Sequence, residues 1–179
     1  MEIREIGAAQ LDEAAFVALL RDAVDAGASI GFLAPLPVHE GREFWRSVRS
    51  ELGDGRVLLG AFVDGALVGS VQLAPVGRPN GRHRAEVQKL MVLRSHRGRG
   101  IAKALMAAVE RKAGELGRWL LVLDTVPAQP AEKLYERLGY VRAGVVPDYA
   151  EKSSGGFDPT VIFYKQLEVN IPRRPRTKS

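Results

Sequence analysis

The sequence predicts a single α/β (α+β) domain in which helices and strands interleave along the chain. Three observations carry this. Apolar residues recur every three or four positions in some segments and every second position in others, so helices and strands are both present. Two apolar runs flank the dipeptide Asp64-Gly65, which marks an antiparallel hairpin. The run WLLVLD, residues 119–124, is continuously apolar and suits a strand covered on both faces.

The elements follow in order. EIREI at the start alternates like a strand, and LDEAAFVALLRDAVDAG repeats apolar residues at helical spacing up to a glycine stop. Gly31, Pro35 and Pro37 break the pattern in ASIGFLAPLP, a loop, before VHEGREFWRSVRSEL resumes a helical period that ends at Gly53. The hairpin about Asp64-Gly65 comes next, then the loop GRPNGRH and a third strand of this group from Ala85 to Leu93. A helix starting near Arg99 carries Ala102, Leu105, Met106, Val109, Ala113 and Leu116 on one stripe, which should lie on the sheet. After WLLVLD, Pro130 suits the first turn of a helix through AEKLYERL and Gly139 its C-terminal stop. YVRAGVV and TVIFYKQL complete the sheet, separated by a Gly-rich loop, PDYAEKSSGGFDP. The expected domain spans residues 1–169, followed by a basic, disordered tail at 170–179.

Composition excludes several classes of function. The 179 residues include no cysteine and three scattered histidines, so disulfides, thiolate nucleophiles and a metal site are not expected. The first residues show no basic flank followed by an apolar core, and no apolar run approaches the roughly 18–20 residues that cross a bilayer. A soluble, cytoplasmic protein without a membrane partner is expected. The net charge of +5 invites a nucleic-acid reading, but Arg173, Arg174, Arg176 and Lys178 account for four of the five charges. Nucleic acid is therefore not the expected partner of the folded body; a homodimer is compatible with the sequence.

The stretch RSHRGRGIA, residues 94–102, concentrates chemistry at a strand-to-helix joint. Glycines there release the backbone from the limits a Cβ imposes, and the following helix brings free N–H groups and the positive end of its dipole. Such a joint cradles an anion. It is not a P-loop, which needs GxxxxGK[ST], nor a dinucleotide fingerprint, because the third glycine position of GxGxxG is Lys103.

Arg97, Gly100 and Ala102 match [QR]xxGx[GA] between a strand and a helix, and LYERLGY follows at residues 134–140. These two landmarks resemble those of the GCN5-related N-acetyltransferase (GNAT) superfamily, whose mixed, mostly antiparallel sheet of about seven strands with about four helices also fits the element order. GASIGF, PNG, RAEVQKLMVL, RGRG, LDT and PTVIFYK are further similar to stretches of the tabtoxin-resistance branch, so the likeness runs from about residue 25 to 167. Where many members carry asparagine, seven residues before Tyr135, this chain has Ala128, and Gln129 is the substitute candidate for that cofactor contact.

The resemblance implies acetyl-CoA as co-substrate, with its pyrophosphate on the N–H groups from Arg97 through Gly98, Arg99, Gly100 and Ile101 to Ala102. Arg94, His96 and Arg99 would add charge nearby. The pantetheine arm would lie along Met91, Val92 and Leu93 like an added strand, and an N–H near Val92 would stabilise the oxyanion of a tetrahedral intermediate. An acceptor amine must lose a proton before it attacks a thioester. Glu86, whose spacing to Arg97 matches the base of histone-acetylating relatives, and Asp124, at the C-terminal edge of its strand, are both candidate bases; each is equally readable as a solvated strand residue or a turn cap. Tyr135 is the candidate acid for the departing thiolate. Phe32, in GASIGFLAPLP, and Asp124 are the candidate acceptor contacts.

The expected activity is acetyl transfer to a primary amine of a small amino-acid-like, antibiotic-like or toxin-like molecule. Transfer to a protein N-terminus or lysine is the alternative, favoured if the acceptor groove is open, and a non-catalytic acyl-CoA sensor is a third reading.

Overall fold

The computed structural model describes residues 1–168 except Asp54. The expected basic tail at 170–179 lies outside the described residues. The seven strands are β1 (Glu2–Glu5), β2 (Val57–Val63), β3 (Ala66–Pro75), β4 (Arg84–Val92), β5 (Leu120–Thr125), β6 (Val141–Glu151) and β7 (Phe157–Gln166). The helices are α1 (Glu13–Asp25), α2 (Val38–Glu51), α3 (Ile101–Glu115) and α4 (Pro130–Arg137). They form one mixed sheet in the order β1-β2-β3-β4-β5-β7-β6. Every pairing is antiparallel except β4 with β5, whose crossover is α3.

Local chemistry explains most boundaries. Asp12 caps α1 by accepting from the Ala14 and Ala15 N–H groups, and the Asp64-Gly65 turn has both residues at positive φ, 51° and 80°, as a tight hairpin requires. Gly139 ends α4 at φ 80°, and the Tyr140 N–H returns to the Tyr135 carbonyl.

The sheet separates two cores. On one face α3 lays Ile101, Leu105, Met106, Val109 and Ala113 against β2, β3, β5 and β7, joined by Tyr135 of α4. On the other, α1 and α2 bury Phe16, Leu20, Leu36 and Trp45. Two details of the expected α3 stripe change: Leu116 is 42% exposed as the residue that ends the helix, and Ala102 is only partly buried, because Ile101 and Ala108 take the core positions.

The segment expected as one long loop, 147–159, is largely strand: β6 runs to Glu151 and β7 starts at Phe157. Its Pro, Asp and Gly residues read as turn signals, yet Pro147 sits in an edge strand, where a missing N–H is tolerated. Asp148, at φ 50°, and Pro159 fall within a register shift between Val146 and Ala150.

Candidate active site

The sheet opens in its middle. β4 and β5 pair only at Arg84 with Leu120, Ala85 with Leu121 and Glu86 with Val122. Beyond Glu86, β4 keeps β3 on one side, to Gly69 opposite Val92, and has no strand partner on the other. A cleft of about 1590 Å³ occupies this split. That exceeds the roughly 300–1,000 Å³ of a pocket for one small ligand and leaves room for two.

A bulge sharpens the opening. Between Ser70 and Gln72 of β3 the register slips, so β4 carries one extra residue, and Lys89 takes φ 50°. Ala85 and Val87 face the α3 core, so Glu86 and Gln88 face the α1/α2 side by strand alternation. The extra residue keeps Lys89 on that same side, against Phe32 and Phe44. Leu121 and Leu123 face α3 as well, which sends Asp124 to the α1/α2 side with Glu86 and Lys89.

Nearly all residues singled out in the sequence line this one cleft: Phe32, Glu86, Met91, Val92, Arg97, Gly98, Gly100, Ile101, Ala102, Asp124, Gln129 and Tyr135. Leu93 and Arg99 do not. Leu93 turns its partly buried side chain into both cores and donates its N–H to the Val68 carbonyl, and Arg99 is exposed beside the glycines. Arg94, expected to add charge for an anion, is committed elsewhere: its N–H and Nε both donate to Asp22 at 2.8 Å, tying the joint to α1. His96 hydrogen-bonds its neighbour Ser95 through Nδ1.

The joint leaves open space above its two glycines. Gly98 and Gly100 lie at φ 77° and 79°, and a Cβ on either would meet nothing within 4 Å. The first N–H groups of α3 have no acceptor within the helix, and Lys103 of its first turn also lines the cleft. Arg97 turns its Nε back onto the Val92 carbonyl at 3.2 Å, so it stitches the joint to the end of β4.

The ionisable groups differ in surroundings. Tyr135 is 6% exposed; burial, with the Asp124 charge second, pushes its hydroxyl up to about 12, so it holds its proton across the physiological range. Asp124 is exposed and accepts from the buried Thr160 hydroxyl at 2.8 Å, which fixes one carboxylate oxygen. Burial lowers the pKa of Lys89, and Arg56 lowers it further, against Asp124 and Glu86. Lys89, Lys103 and Thr160 were not singled out in the sequence. A lone lysine in an alternating strand carries no signal, because only the bulge decides the face it joins.

Two loops bound the α1/α2 side of the cleft. The α1–α2 loop supplies Phe32, stacked edge-on to Phe44 at 5.2 Å, and its Ala34 N–H donates to Ser153 Oγ of the β6–β7 turn at 2.7 Å. Among the described residues no group of histidine, cysteine or acidic side chains could hold a metal ion. No helix there is long and apolar enough to cross a membrane.

A mixed sheet split between β4 and β5, with a glycine joint feeding a helix at the split, is the fold of similar solved structures. Ribosomal-protein-alanine N-acetyltransferase from Brucella melitensis is 25% identical, with a TM-score of 0.78 over 93% of this chain and 100% of its own. The structure of yncA from Salmonella typhimurium with its cofactor acetyl-CoA is 20% identical, with a TM-score of 0.77 over 98% of each chain. A Mus musculus protein named "Probable N-acetyltransferase family 8 member 5" is 43% identical over 82 residues, 45% of this chain. The chain covers 36% of that relative's length. The model of the acetyltransferase (GNAT) family matches residues 19–140. The chain belongs to that family.

Proposed function

We propose that this chain is an acetyl-CoA-dependent N-acetyltransferase acting on a primary amine of a small molecule. One observation carries the reading: the α3 glycine joint, the unpaired edge of β4, Tyr135 and both candidate carboxylates line the same cleft at the sheet's split. The residues present fit acetyl-CoA. Open space at Gly98 and Gly100, the free N–H groups of α3 and Lys103 suit its pyrophosphate, and the β4 edge past Glu86 suits its pantetheine amides. When bound, acetyl-CoA supplies the acetyl group as a thioester.

The chain's own residues do the rest. Asp124 or Glu86 takes a proton from the acceptor ammonium directly or through water, so that the amine nitrogen can bond to the acetyl carbon as the carbon–sulfur bond breaks. Asp124, oriented by Thr160, is the better placed of the two. Tyr135 keeps its proton at neutral pH and gives it to the departing sulfur, and the second proton that the acylated nitrogen must lose returns to the tyrosine oxygen directly or through water. An N–H near Val92 would steady the oxyanion.

The hydrogen bond from Ala34 to Ser153 supports a small acceptor, because it joins the two loops over the groove that a polypeptide would have to enter. The likeness to the tabtoxin-resistance branch points the same way. Acetylation of a protein N-terminus is the second reading, favoured by the name of the Brucella melitensis relative. Edge strand β6, where Val141 and Val145 are 49% and 45% exposed, suits a homodimer, and sedimentation equilibrium reads it. Thiol release from acetyl-CoA across small amines and N-terminal peptides tests the function. Release with small amines is the expected result; release with peptides alone would support the second reading, and release with none would overturn both.

A further inference from the structure

Among the described residues, the α1/α2 side of the cleft holds one cation, Lys89, that no carboxylate pairs. Among the described residues that line the cleft, Arg97 lies on the joint before α3, Lys103 on α3 and Arg137 on α4, whereas Lys89 lies across the sheet with Phe32. Arg56, the nearby guanidinium, is fully occupied: it pairs with Glu51 at 2.9 Å and donates to Gln72 and Gln88, both at 2.7 Å. Lys89 makes no hydrogen bond or ion pair with any described residue. Its Nζ sits 5.9 Å from the centre of the Phe32 ring and 5.8 Å from that of Phe44, and a Cβ on Gly31 would come within 3.3 Å of it. The aromatic faces and the α1–α2 loop therefore hold the ammonium in place and shield it in part from water.

Such a placement is unfavourable in the empty protein. Burying an ammonium with no carboxylate in hydrogen-bond contact costs free energy, and the bulge that puts it there also forces a non-glycine residue to positive φ. The arrangement becomes favourable once an anion arrives. Asp124 and Glu86 share the same side of the sheet and line the same cleft, and their charges act on Lys89, so this half of the cleft is bipolar, with carboxylates for an ammonium and an ammonium for a carboxylate.

We propose that Lys89 is the specificity residue for the acceptor, and that the acceptor is an α-amino acid or close analogue whose carboxylate pairs with Lys89 Nζ while its amine lies toward Asp124. This deepens the proposed function and rests on it. A desolvated ammonium–carboxylate pair favours small zwitterions over an internal peptide or a polyamine, because those leave Lys89 unpaired.

The test compares L-amino acids with their C-terminal amides, as acceptors for wild type, Lys89→Met and Lys89→Arg. Amidation also changes the basicity of the amine, so the readout is how the acid-to-amide ratio of kcat/KM changes between variants. Relative to wild type, the ratio should fall at least tenfold in Lys89→Met and stay within about threefold in Lys89→Arg, which keeps the charge. An equal ratio in wild type and Lys89→Met, in a variant that melts cooperatively, overturns the proposal. So does a wild type that accepts no free amino acid while accepting N-terminal peptides. If no amine releases thiol, the melting temperature with added amino acids or amides separates the two readings. Stabilisation by an amino acid but not its amide, lost in Lys89→Met, upholds the anion site while acetyl transfer falls; stabilisation by neither overturns the site.

Discussion

Tyr135, Asp124 and Lys89 show how one side chain's surroundings set its chemistry. Burial keeps the Tyr135 hydroxyl protonated, and it has no hydrogen-bond partner among the described residues, so its removal should cost activity and not stability. Tyr135→Phe should lower kcat by about 10²–10⁴-fold, the usual range for general-acid assistance, while acetyl-CoA affinity and melting temperature stay near wild type. A kcat within about twofold of wild type removes the residue from the mechanism. The two carboxylates separate by pH profile: loss of the true base should remove the ascending limb, and Asp124→Asn is expected to do so where Glu86→Gln does not. Lys89 reports on stability. Because its folded pKa is depressed, the unfolded chain binds the proton more tightly, and the burial cost is fully present below the folded pKa and relieved as pH rises from there to the ordinary 10.5. Lys89→Met should thus melt above wild type at pH 7, with the gap closing toward pH 10.

Two short elements hold the cleft in shape. At the β4–α3 joint, Asp22 is partly buried, which alone would raise its pKa, but the two hydrogen bonds from Arg94 and the charges of Arg94 and Arg97 outweigh this and lower it. A depressed carboxylate stabilises the fold above its unfolded pKa and loses that contribution as pH falls through the folded one. Asp22→Asn should therefore cost up to about 1 kcal/mol at neutral pH, given that Arg94 is 58% exposed, and the difference from wild type should begin to shrink near the ordinary 3.8 and vanish only below the lowered folded value. Thermal melts from pH 2.5 to 7 check this. Gly100, at φ 79°, allows a second test. An alanine there meets no protein atom within 4 Å, so its cost to the fold is the roughly 1–2 kcal/mol of a left-handed residue. Acetyl-CoA affinity should fall by tenfold or more in calorimetry, because the methyl group intrudes on the cradle. On the acceptor side, Ser153→Ala removes one hydrogen bond, worth about 1 kcal/mol. KM for the amine should rise about three- to tenfold with KM for acetyl-CoA unchanged.

The whole molecule works because one sheet is closed at its ends and open in the middle. α3 packs against β2, β3 and β4 on one face and α1 against β3 and β4 on the other, so the β4–β5 gap is held from both sides. Much of this was legible in the chain. The Asp64-Gly65 turn, the α3 stripe and the glycine joint each depend on residues close in sequence, and all formed nearly where local spacing placed them. The course of 147–159 was not legible, since pairing with β7 overrides local turn preference at Pro147 and Asp148. Residues 170–179, outside the described residues, carry four of the five net charges. Their removal should leave melting temperature and turnover unchanged while lowering retention on nucleic acid at low salt, a loss that gel-shift assays read directly.

The sequence by itself determined the element order, the hairpin, the cradle from Arg97 to Ala102 and the tyrosine of α4, because periodicity, turn chemistry and helix-terminus physics act over a few residues. Only the tertiary structure decided what these elements face. It ended the β4–β5 pairing at Glu86, bonded Asp124 to Thr160 across 36 positions, gave Arg94 to Asp22 in place of an anion, and used the bulge at Lys89 to turn an unremarkable strand lysine into the cleft. Each depends on register between distant strands, where a slip of one residue exchanges the two faces of the sheet.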